Sequence, residues 1–173
     1  EENVPPQAEF YLSDCLDREM MLQLIKGVDV VYHCAATAYE GLSPFSPHFI
    51  GQNIFSASTA VFSAAIANGV RRIVFCSSMA RYGANHSPFT EDMNPQPVDP
   101  YGIAKVAAEQ VLRSLSEVHG TTFVIAVPHN IFGPRQKYDD PYRNVASIMI
   151  NTMLQGKQPI IYGDGEQTRC FSY

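Results

Sequence analysis

The chain has 173 residues with 46% hydrophobic side chains, enough for one sizeable core and ordinary for a single soluble domain. Its net charge of -5, with no basic cluster longer than Arg71-Arg72, argues against a nucleic-acid partner. No apolar run approaches the ~20 residues of a membrane span, and Glu1-Glu2-Asn3-Val4-Pro5-Pro6 is no signal peptide, so no membrane association and a cytoplasmic location are the expectations.

Glu9 to Ser13 reads as a short strand, with Asp14 at its carboxyl end. Leu16 before Asp17, and Met21 beyond it, fit a hydrophobic staple around an N-cap, so a helix runs on to near Gly27 with Met20, Met21, Leu24 and Ile25 as its core face. Val28 to Cys34 is the next strand, too continuously apolar for a one-sided sheet, which predicts burial on both faces. Strand, helix and strand make a parallel unit. Ala35-Ala36 follow at once: either their small side chains let a ligand lie against the backbone, or they only form a tight turn.

Thr37 to Phe49 reads as an irregular segment with two prolines. Ile54, Ala57, Ser58, Val61, Phe62 and Ala65 recur at helical spacing up to Asn68-Gly69, where Gly69 suits a C-cap. Arg72 to Cys76 is another buried strand, which delivers Ser77-Ser78 to its carboxyl edge. Gly83 to Asp99 reads as loop. The cysteines Cys15, Cys34, Cys76 and Cys170 lack metal-ligand spacing and read as small buried hydrophobes in a reducing compartment.

Asp99-Pro100-Tyr101-Gly102-Ile103-Ala104-Lys105 opens the longest helical pattern. Asp99 suits its cap and Pro100 its first turn, so Tyr101 and Lys105, four residues apart, share one face. An ammonium beside a phenol favours the phenolate and makes tyrosine usable as a base. The plainer reading is a surface tyrosine near a lysine that pairs with Glu109. Against it, Lys105 borders the apolar stripe Ala104, Ala107, Ala108, Val111, Leu112, Leu115, where a lysine is uncommon without a partner or a task.

Thr122 to Val127 is a further strand, after which Pro128-His129-Asn130 leave the sheet and Gly133-Pro134-Arg135 turn the chain. Val145 to Leu154 is helical in pattern, Pro159 to Tyr162 is strand-like, and Gly163-Asp164-Gly165 turns before Arg169. There are no internal repeats. Alternating strands and helices define an α/β, Rossmann-like doubly wound parallel sheet. Asp14, Ala35-Ala36, Ser78 and Asn130 all fall at carboxyl ends of predicted strands, the edge where such sheets bind ligands.

Taken together these motifs resemble the extended short-chain dehydrogenase/reductase family, and within it the nucleotide-sugar epimerases, over Asp14 to Tyr173. The resemblance implies that Asp14 and Cys15 meet the adenine of NAD, that His33-Cys34-Ala35-Ala36 matches the family's His-x-Ala-Ala motif and lines the cofactor, and that Gln52, Pro128 and His129 also contact it. Phe75 to Gly83 looks like the catalytic serine motif, with Ser78 on the reacting sugar oxygen, and Tyr101 and Lys105 match the catalytic pair. Asn130 matches a substrate-binding asparagine, and Arg169 an arginine that grips the nucleotide diphosphate.

By the same likeness, Tyr101 takes a proton from the sugar 4-hydroxyl while hydride passes to NAD, and return of the hydride to the opposite face inverts the carbon. Lys105 fixes the nicotinamide ribose and keeps Tyr101 acidic. No metal is implied. Residues 1–155 correspond to a partial NAD-binding Rossmann domain and 156–173 to the beginning of the nucleotide-sugar-binding region. A homodimer through the helices 54–67 and 101–118 is expected.

The sequence departs from the family in three places. It has no G-x-G-x-x-G, the glycine-rich loop that receives the pyrophosphate. The chain is therefore expected to be an internal fragment of a longer protein, incomplete at both ends, that binds NAD poorly when isolated. Val127-Pro128-His129 stands where an arginine and two aromatics are usual. Met79-Ala80 after Ser78 replaces the acids that dehydratases and decarboxylases carry, which favours simple epimerisation of a UDP-linked sugar. The alternatives are a reductase or dehydrogenase of the same superfamily, using the same Ser, Tyr and Lys, and a non-catalytic NAD(P)-sensing protein.

Overall fold

Local capping chemistry starts both well-defined amphipathic helices in the computed structural model, which describes residues 3–140 and 145–173. Asp17 Oδ1 accepts the Met20 amide at 3.0 Å and opens α1, Arg18–Leu24. Asp99 Oδ1 accepts the Gly102 amide at 2.9 Å and opens α4, Pro100–His119, with Pro100 in its first turn. This helix ends on Gly120, whose left-handed φ of 73° is the C-cap conformation glycine adopts without steric cost.

Three strands form one parallel sheet in the order β1 (Val30–His33), β2 (Arg72–Cys76), β3 (Thr122–Ala126). Val31 pairs with Ile73 and Ile73 with Phe123, so this register brings all three carboxyl ends to one edge. The helix α3, Ala57–Ala67, packs with α1 and α4 on one face. There Phe62, Phe75, Ile73, Ala65, Ala108 and Leu112 are fully buried. Each large apolar side chain so buried contributes ~1.5–3 kcal/mol. The last helix, α5, is Val145–Leu154.

Several expectations are corrected. Glu9 to Ser13 forms no strand: Phe10, Tyr11 and Leu12 are exposed, and among the described residues none offers them the ladder of hydrogen bonds that defines a strand. Pro159 to Tyr162 likewise finds no partner strand among the described residues, and Ile160, Ile161 and Tyr162 are exposed. Burial of the sheet on both faces also fails among the described residues, since α1, α3 and α4 share one side and Tyr32 on the other is 71% exposed. Cysteine burial fails with it. Cys34 and Cys170 are exposed and Cys15 and Cys76 only half-buried.

The segment expected to be irregular holds a short 3₁₀ turn, Glu40–Phe45, and a helix, α2, Pro47–Gly51. A π-helical turn, Gln52–Ser56, joins α2 to α3 without a break. The resulting 21-residue helix, Pro47–Ala67, is long and apolar enough to span a bilayer, contrary to expectation. It is a core helix here, with Ile50, Ile54, Phe62 and Ala65 at 0% exposure.

Candidate active site at the carboxyl edge of the sheet

Tyr101 and Lys105 lie one turn apart on α4 and are both buried. Lys105 Nζ donates to the Cys76 carbonyl at 2.7 Å, lies 5.0 Å from the centre of the Phe75 ring, and stands 5.9 Å from that of Tyr101. Burial pulls the Lys105 ammonium down to about 8, against the opposing pull of Cys76, Cys34 and Glu109. It is therefore a lysine poised near neutrality rather than a solvated surface cation.

Ser78 ends the loop from β2 and caps a short turn, Met79–Arg81, its Oγ accepting the Ala80 amide at 3.2 Å. Ser78 beside Tyr101 favours the phenolate. Burial outweighs that contact and pushes the Tyr101 phenol up, with Glu40 and Asp99 adding to the rise. The expectation that Lys105 keeps Tyr101 acidic is thus corrected for this arrangement: the ammonium is spent on Cys76 O, and desolvation of the phenol wins.

What brings α4 so close to the serine turn is Gly102. A Cβ there would sit 2.8 Å from the Ala80 carbonyl oxygen and 3.1 Å from Pro97 Cβ, so any larger residue pushes the helix off the turn. One turn beyond Lys105, Glu109 is 2% exposed and accepts a hydrogen bond from Ser77 Oγ, while Arg81 Nη2 lies 3.2 Å from its other oxygen. Glu109 therefore pairs with Arg81, and Lys105 is not held in the plain surface pair that the sequence left open.

His33, the first residue of the His-Cys-Ala-Ala run, faces the core. Its Nε2 bonds Ser58 Oγ at 2.9 Å, and the ring stacks on Phe75 and meets Phe62 edge-on. Burial, then the Lys105 charge, lower it to about 4, so it is a neutral packing residue at physiological pH.

A cavity of about 230 Å³ opens beside β1, lined by Asp14, Cys15, Ala35, Ala36, Asn53 and Ala57. It unites four of the residues expected at the cofactor, which lie on two segments far apart in sequence. Ala35, Ala36 and Ala57 give it low walls against which a flat ring can lie, and Asp14 accepts the Leu16 amide at 2.9 Å, which fixes its carboxylate at the rim. The volume is below the ~300–1,000 Å³ of a site for a whole drug-sized ligand, so these residues fit one end of a dinucleotide. Gln52 is exposed at the start of the π-helical turn and does not line this cavity; its neighbour Asn53 does. Cys34 lies outside it too, its Sγ 3.5 Å from that of Cys76, and Pro128 and His129 are half-buried beyond β3.

The end of the chain returns to the same edge. Asn130 Nδ2 donates to the Cys170 carbonyl at 2.9 Å, and the Phe132 amide to that of Ser172 at 2.9 Å. Arg169 is exposed; its charge acts on Glu40, and Glu40 in turn acts on Tyr101. A second cavity, of about 540 Å³, lies between α5 and the loop after β3, walled by Phe132, Pro134, Tyr138, Ile150, Leu154 and Tyr173.

Sequence reasoning found Ser78, Tyr101 and Lys105 and placed Ser77 at the carboxyl edge, but it did not find the tie of Ser77 and Arg81 to Glu109, nor Asn53 in the cavity wall. It weighed Glu109 only as a partner of Lys105. A signal for Glu109 existed, since it repeats Lys105 four residues on and so shares the buried face of α4. Ser77 and Arg81 give no such signal, because nothing local marks them as partners of a distant helix.

The whole chain, residues 1–173, matches the model of the NAD dependent epimerase/dehydratase family. A UDP-N-acetylglucosamine 4-epimerase from Methanobrevibacter ruminantium, solved with UDP-N-acetylmuramic acid, is 38% identical, with a TM-score of 0.88 over 93% of this chain and 52% of that one. A UDP-glucose 4-epimerase from Thermotoga maritima, solved with UDP-glucose, is 31% identical, with a TM-score of 0.93 over 99% and 57%. A UDP-N-acetyl-α-D-glucosaminuronate decarboxylase of Bacillus cytotoxicus is 32% identical over 91% of this chain and 50% of its own length. The chain thus spans about half the length of the relatives it matches. Its parallel sheet is that of the Rossmann fold and the match spans residues 1–173: the chain belongs to the NAD dependent epimerase/dehydratase family, whose cofactor is NAD.

Proposed function

We propose that the protein carrying this chain is an NAD-dependent 4-epimerase of a UDP-linked sugar. The observation that supports this reading most is the Ser78–Tyr101–Lys105 cluster, held at the carboxyl edge of the sheet and followed by Met79-Ala80, where no carboxylate is present. Dehydration and decarboxylation need a further proton carrier near the reacting carbons, and epimerisation does not.

Asp14, Cys15, Ala35 and Ala36 hold the adenosine end of NAD, and Lys105 its reacting end. When bound, NAD supplies the hydride acceptor and returns the hydride. The residues of this chain do the rest. Ser78 orients the sugar oxygen, and Tyr101 beside it accepts the 4-hydroxyl proton and later gives it back. Asn130 binds the substrate, Arg169 grips the nucleotide diphosphate, and residues 156–173 begin the region that reads the sugar. The protein pairs with a second copy through the helices 54–67 and 101–118, a claim tested by light scattering of the intact protein.

A second reading has one observation behind it, the likeness to the decarboxylase of Bacillus cytotoxicus. The test for both is incubation of the intact protein with NAD and UDP-glucose, UDP-N-acetylglucosamine or UDP-glucuronate, followed through the anomeric proton by NMR. A new galacto-configured signal without net NADH supports the 4-epimerase. Release of carbon dioxide or stoichiometric NADH contradicts it.

A further inference from the structure

A carboxylate inside an apolar helix face is costly unless it is paired and hydrogen-bonded, and Glu109 is both. Its two oxygens take Ser77 Oγ and the Arg81 guanidinium. One turn earlier on the same face, Lys105 Nζ takes the Cys76 carbonyl. Two successive turns of α4 thus grip two successive residues at the end of β2. The next residue along the chain is Ser78.

A purely structural pair would not need this arrangement, since a buried ion pair replaced by well-packed apolar groups often costs nothing. An apolar pair cannot hold the Ser77 hydroxyl or face an ammonium. The groups that face Lys105 are Cys34 beyond β1, Cys76 at the end of β2, His33 on β1, and Tyr101 and Glu109 on α4. Of these only Glu109 is a carboxylate.

We propose that Glu109 is a positioning residue of the catalytic centre, which anchors the Ser77-Ser78 segment to α4 and serves as the counter-charge of Lys105. The inference rests on Ser78, Tyr101 and Lys105 being the reacting group. It concerns a residue that touches neither substrate nor cofactor.

The experiment is a titration of the intact protein carrying ¹³C-labelled lysine, with the Lys105 ¹³Cε resonance identified by its loss in Lys105→Met. The wild-type midpoint lies at about 8. In Glu109→Gln it moves down by about one pH unit, the size of a lost charge one helical turn away. Turnover at pH 7 falls tenfold or more with KM within twofold. Because Glu109→Gln leaves the buried Arg81 without its counter-charge, Arg81→Met/Glu109→Gln is measured beside it. That double variant removes the unpaired charge and must show the fall in turnover again. Recovery of the wild-type turnover in the double variant, or an unmoved midpoint in Glu109→Gln, overturns the proposal. The titration needs no turnover, so it decides on Glu109 even if the epimerase reading fails.

Discussion

The two flanks of the candidate site are built differently. On the α4 side, Tyr101, Lys105, Glu109, Ser77 and Arg81 are buried, Glu109 is tied to Ser77 and Arg81, and Lys105 to the Cys76 carbonyl. On the binding side, Asp14, Asn130 and Arg169 sit on exposed segments, each held by a local or single hydrogen bond. Buried polar ties fix geometry before any ligand arrives, whereas exposed ones exchange readily with water. The groups proposed to react are thus fixed by the fold itself, and those proposed to read the nucleotide are held by fewer ties.

If that contrast is right, substitutions on the two flanks part company. Phe62→Ala, in the core beneath His33 and Phe75, is expected to cost ~3–5 kcal/mol of unfolding free energy, read by urea denaturation of the intact protein. A smaller loss would mean that this side is less tightly packed than described.

Acid acts on the same side more gently. His33 is lowered from 6.5 to about 4, so between those values the unfolded chain takes up a proton that the folded one does not. Stability is accordingly complete above pH 6.5 and lost as pH falls toward 4, by about 2 kcal/mol between pH 7 and pH 5. His33→Gln removes this dependence, so urea midpoints at the two pH values lie closer together in the variant than in the wild type. An equal fall in both would assign the acid sensitivity elsewhere.

Arg169→Ala, on the exposed flank, is expected to change stability by less than about 0.5 kcal/mol. KM for the UDP-sugar rises instead, with kcat nearly unchanged. A large fall in stability with KM untouched would move Arg169 from the binding side to the scaffold.

The same division explains what the sequence made legible. Asp17 and Asp99 announce α1 and α4 because capping is local chemistry, and the apolar runs of β1, β2 and β3 are read from neighbouring residues alone. Tyr101 and Lys105 were visible because helical spacing puts residues four apart on one face. Glu9 to Ser13 and Pro159 to Tyr162 have strand-like side chains, but strand formation depends on a partner that no local pattern supplies. The start of the second long helix at Pro47 was hidden by the π-helical turn at Gln52–Ser56, which shifts the helical period before Ile54. The Ser77–Glu109 bond joins residues 32 apart in sequence, beyond any periodicity.

The central claim, that the buried cluster on α4 is the reacting centre, is tested most directly by Tyr101→Phe in the intact protein supplied with NAD and the UDP-sugar that the wild type converts. The variant keeps the ring that packs against Ile50, Ile54 and Ala104 and loses only the hydroxyl. The account predicts that turnover, followed through the anomeric proton, falls by about 10²–10⁴-fold while NAD still binds. Turnover equal to the wild type would contradict it.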